Sequence, residues 1–108
     1  MDANLLKGHL DLILLSILED TPKYGLEIIK DAQLRTDGYF DFKVGSLYPA
    51  LHRLEQAHWV TSEFHPSLRG GAPVKYYQLT PAGQRELQRK RDQFQEFTAK
   101  VQSLWRPR

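Results

Sequence analysis

The fold of this 108-residue chain is decided by the stretch Gly45-Ser46-Leu47-Tyr48-Pro49-Ala50-Leu51-His52-Arg53-Leu54-Glu55. Its leucines, Leu47, Leu51 and Leu54, fall at i, i+4 and i+7 and so share one apolar stripe of an α-helix. Ser46 suits the N-cap, because its hydroxyl can accept from a free backbone N–H in the first turn. Pro49 would then fall in that first turn, where its missing N–H costs little. We therefore predict a short helix buried by its leucines.

The opposite face of this helix, over residues 46–57, carries hydroxyl, phenol, imidazole and guanidinium groups. They belong to Ser46, Tyr48, His52 and Arg53, with Pro49 and Gln56 beside them. Such groups contact base edges and phosphates in protein–DNA complexes. An ordinary amphipathic helix of a small domain would show the same pattern, so the rest of the chain decides between the two.

Two further helices are predicted before this stretch. Residues 5–18 are apolar nearly all round, which in so small a chain favours burial against a second copy of the protein. A second helix runs from Tyr24 or Gly25 to Arg35. Its inward-facing residues are expected to be Leu26, Ile29 and Ala32.

Two strands and a long helix are predicted after the stretch from Gly45 to Glu55. Residues 59–64 and 74–79 have strand character and pair as an antiparallel hairpin. Thr80 and Pro81 suit the N-cap and first position of a last helix that extends towards Trp105.

Three helices followed by a two-stranded hairpin is the element order of a winged helix-turn-helix domain. In helix-turn-helix domains the recognition helix enters the major groove of DNA. We therefore expect a mainly α fold with a small β-hairpin. Residues 1–80 would form the DNA-binding domain and residues 81–108 a C-terminal dimerisation helix.

The composition excludes several classes of site. The chain has no cysteine, which removes disulfides, thiolate nucleophiles and cysteine-based metal sites. The histidines do not form the i, i+4 pair of a helical metal site, and the serines lie outside any nucleophile-elbow pattern. No catalytic residue, metal or cofactor is expected, and the protein is not expected to be an enzyme.

The N-terminus lacks the pattern of a cleavable signal sequence. The longest apolar run, residues 12–18, is interrupted by Ser16 and is far shorter than the ~20 residues that span a bilayer. We expect a cytoplasmic protein with no membrane partner.

Charge is divided unevenly along the chain. Residues 1–65 hold 6 Lys and Arg against 10 Asp and Glu, whereas residues 66–108 hold 9 against 3. The acidic first part leaves a second interpretation open, a winged-helix module that binds a protein and lacks specific DNA binding. A DNA-binding surface requires that the cations share one face. The candidates for that face are Lys7, Lys23, Lys30, Lys43, Arg53, Arg69 and Lys75.

Three blocks of the sequence resemble the PadR family of transcriptional regulators. They are Tyr24-Gly25-Leu26-Glu27-Ile28, the stretch from Gly45 to Glu55, and Gly70-Gly71 followed by Lys75-Tyr76-Tyr77-Gln78-Leu79-Thr80-Pro81-Ala82-Gly83. The resemblance covers roughly residues 5–87. One departure is Leu26, where the family more often has an aromatic residue.

The resemblance implies a homodimeric winged-helix regulator that binds a pseudo-palindromic operator in double-stranded DNA. The length fits the short subfamily, which has a single C-terminal dimerisation helix. Family members often repress genes for detoxification, drug efflux or phenolic acid metabolism. Some release DNA when a small molecule binds, so a small aromatic effector is a further expected partner.

The candidate DNA-binding residues lie on the recognition helix, at its approaches and on the wing. They are Tyr24, Lys43, Ser46, Tyr48, His52, Arg53, Arg69, Gly70 and Lys75. Arg53 could pair with a guanine or hold a phosphate, and both alternatives stay open. Tyr48 could donate to a phosphate or be a partly buried aromatic residue.

The last helix carries an apolar seam with the 3.5-residue period of a coiled coil. The candidate dimerisation residues are Leu10, Leu14, Leu87, Phe94, Phe97, Val101, Leu104 and Trp105. The alternative is that this helix folds back on its own core. Trp105 either closes the interface between subunits or forms a wall of a cavity for a flat aromatic ligand.

Overall fold

A computed structural model describes residues 2–67 and 70–106 of the chain. Its elements are α1 (Ala3–Ile17), β1 (Lys23–Tyr24), α2 (Gly25–Arg35), α3 (Val44–Gln56), β2 (Val60–His65), β3 (Val74–Leu79) and α4 (Pro81–Ser103). The strands form one antiparallel sheet in the order β1-β3-β2. The predicted winged helix-turn-helix with a long C-terminal helix is confirmed.

The core lies where the first three helices meet. The leucine stripe of α3, Leu47, Leu51 and Leu54, is fully buried, together with Leu14 of α1 and Ile28 of α2. Removing one buried leucine side chain of this kind typically costs about 2–5 kcal/mol of stability. The stripe that the sequence predicted is therefore the packing surface of α3.

The start of α3 differs from the prediction. The helix begins at Val44, with Lys43 rather than Ser46 at the N-cap position. Pro49 consequently lies in the second turn and not in the first. The carbonyl of Gly45 would accept from residue 49 in a regular helix, and proline has no N–H to donate. The exposed position of that part of the helix lets water take the place of the missing donor.

The end of α3 is a Schellman motif. The N–H of Trp59 donates to the carbonyl of Leu54 at 3.1 Å, and the N–H of His58 donates to that of Glu55 at 3.0 Å. His58 adopts the left-handed conformation that this motif requires, with φ 63°. The motif reverses the chain sharply and sends it into β2.

The second helix buries Ala32 as expected and packs the partly buried Ile29 against the core, but the expectation for Leu26 does not hold. The inward residues are Gly25, Ile28 and Ala32, whereas Leu26 is 62% exposed. The prediction for Leu26 is wrong because β1 leads directly into α2 and fixes its rotation at Gly25. The sequence also gave no sign of β1, since two residues are too few to show a period.

Lys23 of β1 is buried at 7% exposure. Its ammonium donates to the carbonyl of Ile17 at 2.9 Å, at the end of α1, and to the carboxylate of Asp20 at 2.6 Å. The hydrogen bond from Lys23 lowers the pKa of the Asp20 carboxyl below its ordinary value. Lys23 therefore closes the C-terminus of α1 and does not belong to a basic surface.

The first turns of α4 belong to the core. Thr80 is the N-cap as predicted, its hydroxyl accepting from the N–H of Gly83 at 2.9 Å. Leu87 is 1% exposed. Arg91 then pairs with Glu19 through two hydrogen bonds of 2.9 and 3.0 Å, which lower the pKa of that carboxyl.

Gly83 is a position where the packing of α4 can be tested. A Cβ there would lie 2.0 Å from the carbonyl oxygen of Trp59. We expect Gly83→Ala to destabilise the protein by about 1–3 kcal/mol, because backbone atoms must move apart. Gly8→Ala is the control, since a Cβ at Gly8 would meet no other described atom within 4 Å.

The measurement is urea denaturation of both variants and the wild type. Gly8 lies inside α1, so its replacement is expected to stabilise the chain by about 0.5–1 kcal/mol. Equal midpoints for Gly83→Ala and the wild type would contradict the close approach of α4 to Trp59.

Candidate nucleic-acid interface

The outer face of α3 is free of the core. The side chains predicted to face outward are all exposed, namely Ser46, Tyr48, Pro49, His52, Arg53 and Gln56. Pro49, His52 and Gln56 lie directly opposite the buried leucines, with the Gln56 amide 3.4 Å from the His52 imidazole. Gln56 was not among the candidate binding residues. Its amide is a group that can pair with an adenine edge in the major groove.

One flank of α3 packs against the start of α2. A Cβ at Gly25 would lie 2.1 Å from the hydroxyl of Tyr48, so the absence of a side chain there makes room for this ring. Tyr24, at the N-cap of α2, meets Tyr76 of β3 edge to face at 5.4 Å. The structure thus brings Tyr24 and Tyr48 to neighbouring places beside the outer face of α3. Tyr48 remains 41% exposed, so it is the partly buried aromatic residue of the second alternative, and its contact with a phosphate stays a prediction.

Glu55 joins this flank of α3 to the wing. Its carboxylate accepts from the hydroxyl of Ser62 on β2 at 2.5 Å and lies 3.8 Å from the ammonium of Lys75 on β3. Lys75 also lies over the rings of Phe64 and Tyr77. Burial raises the pKa of the Tyr77 phenol, and the nearby carboxylate of Glu55 adds to the rise.

Sequence reasoning missed the role of Glu55. It closes the decisive stretch, but a glutamate at the end of an exposed helix ordinarily faces solvent. Only the pairing of β2 with β3 brings Ser62 and Lys75 under it. Glu55 therefore fixes the wing against the recognition helix. Lys75 is already paired with Glu55 in the free protein.

The remaining candidates lie at the edges of this surface. Lys43 is exposed at the start of α3, and Gly70 is exposed at the tip of the wing with φ 77°. A positive φ favours glycine, which fits a tight turn there. Arg69, the predicted wing-tip cation, lies outside the described residues.

Arg53 lies on the other flank of α3, away from Tyr48 and Glu55. Its guanidinium pairs with the carboxylate of Asp11 on α1. The side chain is 58% exposed, and that of Asp11 is 26% exposed. The structure thus directs Arg53 towards α1 and not towards the centre of the outer face.

The candidate dimerisation residues fall into two groups. Leu10, Leu14 and Leu87 are buried inside the same chain, so the expectation that they contact a partner directly does not hold for them. By contrast Phe94, Phe97, Leu104 and Trp105 are 43, 59, 82 and 72% exposed, and Val101 is partly exposed. The second half of α4 therefore does not fold back on the core.

An apolar groove runs beside this part of α4. Its volume is about 540 Å³, and it is lined mainly by the outer side of α1, the end of α2 and the residues that follow it. Its apolar lining includes Leu5, Leu12, Ile13, Tyr39 and Phe94. The outer side of α1 is thus only partly covered within one chain.

Residues 2–67 and 70–106 contain no group of three His, Cys, Asp or Glu side chains that could hold a metal ion. None of the helices in this part of the chain is long and apolar enough to cross a membrane.

A helix with a buried leucine stripe, a free polar outer face and an adjoining two-stranded wing defines a winged-helix DNA-binding regulator. The family model described as the transcriptional regulator PadR-like family matches residues 14–89. The chain belongs to the PadR-like family of transcriptional regulators. The family and its homologues are regulators and not enzymes.

The chain is also similar to solved structures of transcriptional regulators and to one curated relative. A transcriptional regulator from Clostridium thermocellum has 30% identity and a TM-score of 0.84, over 97% of this chain and 100% of that one. A PadR family transcription regulator from Clostridium difficile has 35% identity and a TM-score of 0.74, over 91% and 98%. An uncharacterised protein of Lysinibacillus sphaericus is 32% identical over 81 residues, 75% of this chain and 73% of that protein.

The position of the wing is expected to depend on Glu55. Glu55→Ala removes the acceptor of Ser62 and the partner of Lys75, at a cost of about 1 kcal/mol. We expect faster amide hydrogen exchange in β2 and β3, while exchange in α1 stays unchanged. Mass spectrometry of deuterium uptake measures this directly.

The matched control is Glu63→Ala, on the outer face of the same strand β2, where the carboxylate pairs with His65. That change is expected to leave exchange in β3 as in the wild type. Identical exchange in the two variants would show that Glu55 does not hold the wing.

Proposed function

We propose that the protein is a homodimeric repressor that binds a pseudo-palindromic operator and is released by a small-molecule signal. The observation that carries this proposal is the outer face of α3, which is polar, exposed and flanked by the wing. In helix-turn-helix proteins such a face enters the major groove. Residues 1–80 would bind DNA and residues 81–108 would hold the dimer together.

The binding residues divide into two roles. Ser46 and His52 on the outer face of α3, and Tyr48 on the flank beside it, would face base edges and nearby phosphates. Tyr24, Lys43, Gly70 and Lys75, which lie around that face, would hold the DNA backbone, and we propose the same role for Arg69 of the predicted wing. Arg53 belongs to the proposed set as well, on the flank of α3 that faces α1. Phosphate contacts give affinity and base contacts give sequence preference.

Dimerisation is supported by the apolar surface that one chain leaves open. The exposed aromatic residues of α4 and the groove beside α1 together form a surface that a second copy would cover. Surfaces of this kind mark sites of protein association. A twofold dimer would place its two recognition helices about 34 Å apart, one turn of B-DNA.

Release by a signal would act as a population shift. A ligand that binds better to a dimer with a different spacing of recognition helices would lower the fraction able to bind the operator. Phe94, Phe97 and Trp105 would line a site for an aromatic effector between the subunits. The alternative is that Trp105 closes the interface. Protection of Trp105 fluorescence from quenching on dimerisation, without any response to aromatic compounds, would favour that alternative.

The DNA-binding proposal is tested by selection from a random duplex library, followed by fluorescence anisotropy on the selected duplex. We expect His52→Ala to weaken binding by about tenfold, which corresponds to ~1.4 kcal/mol. The control is Gln88→Ala, an exposed residue of α4 that donates to Asp92. Affinity should also fall steeply with added salt, because phosphate contacts release counterions.

Failure of the dimeric wild type to select any duplex would contradict the proposal. It would favour the alternative of a winged-helix module that binds a protein. Equal loss of binding in His52→Ala and Gln88→Ala would instead mean that the outer face of α3 does not contact the DNA.

The dimer is tested with Phe97→Glu, which places a charge on the exposed apolar seam. We expect this variant to sediment as a monomer with an unchanged far-ultraviolet circular dichroism spectrum, since burying an unpaired carboxylate is unfavourable. Ala99→Glu is the matched control, because Ala99 is exposed on the opposite side of α4. A wild type that sediments as a monomer at micromolar concentration would contradict the dimer.

A further inference from the structure

We propose that Arg53 serves DNA binding through Asp11, as a positioning residue whose ion pair with α1 sets the recognition helix against the dimerisation helices. It would not then be a residue that contacts bases. The proposal rests on the proposed function, because it assumes that α3 binds DNA. It concerns the arrangement of the free protein, in which Arg53 is already engaged.

The Arg53 side chain is directed away from the centre of the outer face of α3. Arg53 leaves α3 on the flank opposite Tyr48, and its guanidinium enters a recess between α1 and α4. That recess is lined on α1 by residues 7–9, Asp11 and Leu12, and on α4 by Lys90, Gln93, Phe94 and Phe97. A guanidinium that faced the major groove would extend beside His52 and Gln56 instead.

The ion pair between Arg53 and Asp11 adds a directional contact to the packing of α3 on α1. The leucine stripe holds α3 on α1 by apolar contacts, which are not directional. An ion pair between a guanidinium and a carboxylate has defined geometry and opposes a slide or rotation of one helix on the other. Asp11 supplies this link on one flank of α3, and Glu55 supplies the link to the wing on the other.

The ion pair lies beside the exposed apolar seam of α4. The recess that holds Asp11 and Arg53 is also bounded by Phe94 and Phe97, which are the exposed seam residues of α4. A partner subunit on that seam would remove water from the recess, which strengthens the attraction between the two charges and makes the loss of either one more costly. The ion pair thus connects the proposed dimer interface with the orientation of the recognition helix.

The test exchanges the two charges. The single variants Asp11→Asn and Arg53→Gln and the exchanged pair Asp11→Arg with Arg53→Asp are compared on the duplex that the wild type selects. We expect each single variant to weaken binding about tenfold, within the range of coupling energies for contacting residues. The exchanged pair has the net charge of the wild type, and we expect it to bind within about threefold of the wild type.

A second measurement separates positioning from direct contact. Loss of one phosphate contact lowers the slope of log affinity against log salt concentration by about one. We expect Arg53→Gln to leave that slope unchanged. Arg89→Gln is the control for the loss of a surface charge, since Arg89 pairs with Glu86 on the exposed side of α4. Thermal denaturation of every variant checks that the fold is retained.

Three results would overturn the inference. The exchanged pair binding as poorly as Arg53→Gln would mean that the guanidinium itself must be at position 53. A slope lowered by one in Arg53→Gln would place Arg53 on a phosphate. Tighter binding by Asp11→Asn would mean that Asp11 withholds Arg53 from DNA. Failure of the wild type to select a duplex would instead remove the proposed function on which the inference rests.

Discussion

The burial of the leucine stripe of α3 is the constraint on which the rest of the structure depends. Leu47, Leu51 and Leu54 are all fully buried, so the rotation of α3 about its own axis is fixed. Once that rotation is fixed, helical geometry decides that Pro49, His52 and Gln56 face outward. Tyr48 and Glu55 then fall on one flank and Arg53 on the other. The polar surface of the helix is a consequence of its apolar one.

Several charges of the acidic first part of the chain are used by the fold itself. Asp11 pairs with Arg53, Asp20 with Lys23, Glu55 with Lys75 and Glu19 with Arg91. These carboxylates hold helices and strands together, so the sum of charges along the chain does not describe the surface beside α3. The acidic composition of residues 1–65 is the observation that favours a protein-binding module. It favours that alternative less strongly because several of the carboxylates are paired within the fold.

The two halves of α4 have different surroundings. Its first turns are part of the core through Gly83 and Leu87, and Arg91 ties the helix to the end of α1. Beyond this point the apolar side chains are exposed, which supports the proposed dimer. The ion pair of Asp11 with Arg53 lies where α1, α3 and α4 meet. The pair therefore links α1 to the recognition helix beside the exposed part of α4.

The sequence by itself determined the order of the elements and the face of α3 that is buried. Hydrophobic period, the Thr80 cap and the hairpin alternation are local signals, and each depends on residues a few positions apart. It also determined the family, because the decisive stretch and the wing are specific to it. The predicted bounds of the elements differed from the structure by one or two residues at most ends.

Only the tertiary structure decided which polar groups act together. Asp11 and Arg53 are 42 positions apart, and Glu55 meets Ser62 and Lys75 only because β2 and β3 pair. Tertiary contacts also turned Leu26 outward and buried Lys23 at the end of α1. Such contacts depend on how whole elements pack, and no period or spacing in the chain records the angle between two helices. The face of α3 that is turned outward can therefore be predicted from the sequence alone. The ion pairs and hydrogen bonds that hold this helix in place depend on how whole elements pack.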